Sequence, residues 1–74
     1  MPNSVYKVIE LVGSSPESWE KAVATAVKQA SSTLRDLRVA EIIKQDAHIA
    51  KDGSIESYRV KIRLSFKLLE GEHG

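Results

Sequence analysis

The sequence predicts an α+β domain of order βαββ, a three-stranded antiparallel sheet in strand order 1-3-2 wrapped on one helix. Three observations predict it. Tyr58 to Leu68 (YRVKIRLSFKL) alternates without a break, with Tyr58, Val60, Ile62, Leu64, Phe66 and Leu68 apolar and Arg59, Lys61, Arg63, Ser65 and Lys67 polar. A period of two is satisfied by a strand and not by a helix. Trp19, Val23, Ala26, Ala30, Leu34 and Leu37 instead recur at three- and four-residue steps, the period of a helical stripe. Between two strand-like stretches, Lys51-Asp52-Gly53-Ser54 carries the Asp-Gly pair of a tight hairpin turn.

Taken in order, residues of about 4–12 form the first expected strand. Val5 to Val12 is rich in β-branched residues and stops at Gly13. Val5, Ile9 and Leu11 share one face with Lys7, and Tyr6, Val8 and Val12 share the other with Glu10. Both faces are therefore partly apolar, and a single helix covers only one.

A helix is expected over about 16–36. Ser15 is placed to cap it, Pro16 suits its first position, and Glu17 and Glu20 suit the positive end of its dipole. That span is about five to six turns at the usual rise per residue. Alanine and serine dominate its second half, which lets a sheet approach closely.

The second strand is expected over about 38–50. Strict alternation puts Val39, Glu41, Ile43, Gln45, Ala47 and Ile49 on one face and Ala40, Ile42, Lys44, Asp46 and His48 on the other. The last strand, about 55–69, is the hairpin partner of the second, and a right-handed crossover brings the first to its open edge. Residues 70–74, with His73, read as a polar tail.

The whole chain, 1–74, reads as a single small domain. A chain of 74 residues buries only about 60% of its unfolded surface. With no cysteine, it has no disulfide or thiolate to compensate, and two histidines argue against a zinc cluster. Oligomerisation is the remaining route to burial, and surplus apolar surface at Val8, Val12, Val39 and Ile43 predicts a homo-oligomer. A net charge of +1 predicts no nucleic-acid partner. Short apolar runs predict no membrane span, and the N-terminus lacks a signal-peptide pattern, so the expected location is cytoplasmic, with signal-independent export the alternative. No nucleophile with an activating partner and no glycine-rich phosphate cradle is present, so an enzyme is not expected.

VYKVIELVGSSPESWEKAV, TLRDL and SYRVKIRLSFKL together resemble the dodecins. The resemblance spans Val5 to Leu68 and implies a hollow homododecamer that holds flavins (FMN or riboflavin) at subunit contacts. It also implies site positions. The flavin-stacking tryptophan of the family is replaced by Val39, the glutamine that meets the flavin's polar edge by Arg59, and an arginine-glycine pair by Asp46-Ala47. The chain is more similar to the tryptophan-less calcium dodecins, sharing Ser18-Trp19-Glu20, Arg38-Val39-Ala40 with Ile42 and Gln45-Asp46, and Tyr58-Arg59 with Lys61 and Ser65-Phe66-Lys67. That branch implies calcium, which takes oxygen ligands alone.

Asp46 and Glu41 are the candidate metal ligands. Asp46 stands mid-strand, where aspartate is disfavoured, and its competing reading is an ion pair, with Lys44 the nearest cation on its face. Glu41 shares a face with Val39. Asp52, Ser54 and Glu56 imitate the first spacings of a calcium loop, but Asp52-Gly53 also reads as a plain turn. The stripe Arg59, Lys61, Arg63 and Lys67 is spaced to meet phosphates, or else is solvated or paired with acids across a subunit contact. His48 shares the side of Asp46, and Trp19 reads as a core anchor. Three functions follow: storage or sequestration of a small ligand or cation such as calcium, flavin binding in an altered and weaker pocket, or a scaffold presenting copies of one surface.

Overall fold

A computed structural model describes residues 3–68. Its elements run β1 (Tyr6–Ser15), α1 (Trp19–Ser31), β2 (Leu37–Ile49) and β3 (Ile55–Lys67). The three strands form one sheet in the order β1-β3-β2, antiparallel throughout. The alternating strand β3 is thus central, flanked by β2 from Ile55 to Phe66 and by β1 from Tyr58 to Lys67. Residues 69–74, which include the predicted polar tail and His73, lie outside the described residues.

Local chemistry moves the element ends from their expected places. β1 does not stop at Gly13 but continues to Ser15. Pro16 disfavours helical backbone at the residue before it, so Ser15 stays extended. The Ser15 hydroxyl accepts the Glu17 amide at 3.0 Å in the turn that follows. The cap is Ser18, whose Oγ accepts the Lys21 amide at 3.0 Å. The helix itself spans 13 residues and ends at Ser31. There Ser31 and Ser32 donate their hydroxyls to the Lys28 and Gln29 carbonyls at 2.8 and 2.7 Å, side-chain bonds that compete with further helix. Asp36 then takes a positive φ of 59°, and Leu37 opens β2 instead of extending the stripe.

The core is small. Ala22, Ala26 and Ala30 of α1 pack on Val60, Ile62 and Leu64 of β3, all buried. Ile9, Leu11, Trp19, Val23, Val27, Leu34 and Leu37 pack around them half-buried. Alanine on the helix lets the backbones approach, and Gly13 makes the approach closest. A Cβ at Gly13 would lie 2.6 Å from the Ala22 carbonyl oxygen and 3.0 Å from the Ala26 Cβ.

The hairpin turn forms as its residues predict. Gly53 has φ 90°, its amide donates to the Ala50 carbonyl, and Asp52 accepts from both the amide and the hydroxyl of Ser54. Asp52 is thereby a turn-forming carboxylate. Beyond the helix the β2–β3 hairpin projects uncovered. The radius of gyration is 15.7 Å, against about 11 Å for a compact chain of this length. Val12, Val39 and Ile49 are 67, 58 and 65% exposed. Among the described residues no helix is long and apolar enough to cross a membrane.

Candidate functional site: the outer face of the sheet

With Val60, Ile62 and Leu64 turned to the helix, Arg59, Lys61, Arg63 and Ser65 must point to the other side of the sheet. The strand register sets what stands beside each. Ser14, Arg59 and Asp46 form one row, and Val12, Lys61 and Lys44 the next. Glu10, Arg63 and Glu41 follow, then Val8, Ser65 and Val39.

This arrangement corrects the strict alternation expected for the second strand. A register shift between Ile42 and Lys44 inserts a bulge at Ile43, and one extra residue exchanges the two faces beyond it. Val39 and Glu41 therefore share the outer face with Lys44 and Asp46. Further shifts occur between Leu37 and Val39 and between His48 and Ile49.

Asp46 is paired, but by Arg59 and not by Lys44. Arg59 Nε donates to Oδ1 at 2.7 Å and Nη2 to Oδ2 at 3.0 Å, a bidentate fork. The two residues expected in place of the family's arginine and glutamine are thus each other's partners. The Arg59 hydrogen bond holds the Asp46 carboxyl below the usual carboxylate range, and Asp46 raises the Arg59 guanidinium in turn. The backbone of Asp46 is also anchored. Trp19 Nε1 donates to its carbonyl oxygen at 3.0 Å, and the indole meets the Tyr58 ring edge-on at 4.9 Å between centroids. Trp19 is therefore half-buried, joining the helix start to both strands of the hairpin.

Lys61 and Arg63 of the basic stripe are also paired within the chain. Arg63 Nη2 lies 3.0 Å from Glu10 Oε2 and its Nη1 3.6 Å from Glu41 Oε1, and Lys61 Nζ lies 3.5 Å from Glu10 Oε1. The Arg63 hydrogen bond and the Lys61 charge hold Glu10 below its ordinary pKa. Glu10 was not singled out by the sequence; only the register reveals it between two cations. His48, on the same side as Asp46, meets Glu56 at 3.2 Å.

These shifts carry a sign. A depressed folded-state carboxylate pKa adds stability above the ordinary carboxylate range, lost as pH falls through the folded value. Melting temperature is expected to be flat from neutrality to about pH 5 and to fall below about pH 4. Asp46→Asn should flatten that acid limb. Superimposable limbs for the two proteins would remove Asp46 from the account.

The face can be tested against the ligands that the resemblance implies. Val39 offers no ring to stack on a flavin, and Arg59 has its fork committed to Asp46. The flavin positions do not fit. Calcium takes six to eight oxygens, whereas among the described residues no three of His, Cys, Asp and Glu gather in a metal-holding group. Glu41 is the more available of the two candidate acids, at 61% side-chain exposure with one 3.6 Å contact. The described acids of one chain therefore gather no calcium site by themselves.

Comparison with known proteins follows the same line. The dodecin family model matches residues 5–69. The chain is 49% identical over 65 residues to the calcium dodecin of Mycobacterium tuberculosis, covering 88% of this chain and 90% of that one. It is 38% identical over 66 residues to a dodecin of Thermus thermophilus, covering 89% and 94%. Among solved structures, the dodecin of Streptomyces coelicolor superposes with a TM-score of 0.88 at 39% identity, covering 96% of this chain and all of that one. The calcium-chelating calcium dodecin of M. tuberculosis, described with a novel calcium-binding site, superposes with a TM-score of 0.78 at 47% identity, covering 92% and 96%. On both sequence and fold, this chain belongs to the dodecin family.

Proposed function

We propose that the chain is the subunit of a hollow homododecamer that stores or sequesters a small ligand or cation, with calcium as its occupant and no catalytic role. The observation that carries this reading is the Asp46–Arg59 fork, which replaces flavin recognition by an ion pair on a face that also bears Glu10 and Glu41. The calcium-chelating relative, 47% identical in structure-based comparison, supports the choice of cation. Assembly supplies what one chain lacks, since symmetry brings copies of one carboxylate together. Glu41 is the first ligand in this proposal, and Asp46 joins it when Arg59 lets go. Repulsion between gathered carboxylates destabilises the empty shell, and calcium relieves it.

Thermal melting with calcium and with a chelator tests the proposal. Calcium at 100 times its Kd should stabilise each site by about 2.7 kcal/mol, and the chelator should reverse it. Glu41→Gln should lose most of this response and Asp46→Asn part of it. Wild-type melting that ignores calcium, with riboflavin fluorescence quenched instead, would transfer the site to flavin at Val39 and Arg59. Indifference to both would leave the scaffold reading.

A further inference from the structure

We propose that Lys44 and Lys61 form a binding subsite for a phosphate group on the outer face of the sheet. The register sets these two lysines directly opposite one another on neighbouring strands, where Cβ atoms stand roughly 4.5–5.5 Å apart and like charges destabilise the pairing. The third member of the row is Val12, so no acid in the row offsets them. The nearest carboxylates are already engaged. Asp46 gives both oxygens to Arg59 at 2.7 and 3.0 Å, and Glu10 divides itself between Arg63 at 3.0 Å and Lys61 at 3.5 Å. Among the described residues Lys44 has no carboxylate within salt-bridge distance.

The backbone is arranged to make this apposition. Without the bulge at Ile43, strict alternation from Glu41 would turn position 44 to the helix side of the sheet. The extra residue instead sets Lys44 against Lys61, two like charges offset only in part by Glu10 beside Lys61 and Asp46 near Lys44, and bulges are features that re-aim side chains next to sites. A hollow of about 220 Å³ opens there, lined by Val12, Lys44, Asp46, Arg59, Val60 and Lys61. At about 30 Å³ per water, it has room for a tetrahedral oxyanion with part of its hydration shell. Two ammonium groups suit a phosphate dianion, because lysine binds phosphate as a point charge without demanding one geometry. The Asp46–Arg59 pair, neutral as a whole, forms one wall.

The same chemistry serves inorganic phosphate and the phosphate monoester of a small molecule, and the experiment separates them. The assembled full-length protein is titrated with inorganic phosphate and, separately, with glycerol 3-phosphate, following its melting temperature. Chelator is present throughout, so the outcome does not depend on calcium, and sodium chloride holds the ionic strength constant. Either phosphate should raise the melting temperature, and the tighter of the two identifies the source. Lys44→Glu and Lys61→Glu should each weaken the response at least about tenfold, the affinity change of a single lost charge-assisted contact. Lys44→Glu should also melt higher than the wild type without phosphate, since attraction replaces repulsion across the strands. Lys21→Ala, on the far side of the helix, should titrate as the wild type. Stabilisation equalled by chloride at the same ionic strength would overturn the proposal, as would a wild-type titration by Lys44→Glu.

Discussion

Gly13→Ala is expected to lower the melting temperature on the order of 10 °C. The added methyl would stand 2.6 Å from the Ala22 carbonyl oxygen and 3.0 Å from the Ala26 Cβ. The first of these is helix backbone, so relief requires α1 to lift from β1 as a body. Overpacking of this kind typically costs about 1–3 kcal/mol. That is a large share of the total for a chain of this length, given about 0.05–0.15 kcal/mol per residue. Lifting the helix also loosens Ala22, Ala26 and Ala30 from Ile62, the centre of the core. Circular-dichroism melting would measure the change, and an unaltered midpoint would mean that α1 does not seat against Gly13 as described.

Ile43→Asp should have little effect on the fold of one chain and a large one on assembly. Ile43 occupies the bulge of edge strand β2 and is 39% exposed, beside Ile42 at 49%. A carboxylate there remains hydrated in the isolated chain. Pressed into an apolar contact between copies without a partner, it carries the cost of a buried unpaired charge at every interface it enters. Assembly should therefore fall apart in Ile43→Asp and survive in Lys21→Ala, whose side chain pairs with Glu17 at 3.1 Å on the exposed side of the helix. Light scattering distinguishes the two. Equal masses for both variants would move the contact away from β2.

How much was legible beforehand depended on whether a feature was periodic. The alternation of Tyr58 to Leu68 located the central strand, because one face of that strand is buried by the helix and the other is not. Asp52-Gly53 located the hairpin, because the positive φ of Gly53 is intrinsic to the turn. The helix ends were less legible. Ser15 and Pro16 read as the helix start, yet the cap is Ser18, whose hydroxyl accepts the Lys21 amide while that of Ser15 accepts the Glu17 amide in the turn before it. Leu34 and Leu37 continue the helical spacing, yet hydroxyl bonds at Ser31 and Ser32 end the helix before them.

The outer face was the least legible part, for a specific reason. A bulge costs one residue and leaves no signature in composition, yet it reverses the facing of everything beyond it. Read by alternation, Glu41 and Asp46 fall on opposite faces. With Ile43 bulged they share one, and Lys44 comes to oppose Lys61. The pairing of Asp46 with Arg59 spans 13 residues of chain, so only the hairpin register reveals it. Glu10 lies farther still, 53 residues from Arg63.

The measurement that bears most directly on the whole reading is native mass spectrometry of the unmodified protein as purified. It reports subunit number and bound species together. The predicted result is an assembly near twelve times the 8.2 kDa chain mass, carrying calcium that a chelator removes and no flavin. A folded species at the mass of a single chain, or a dodecamer carrying flavin in place of calcium, would contradict it.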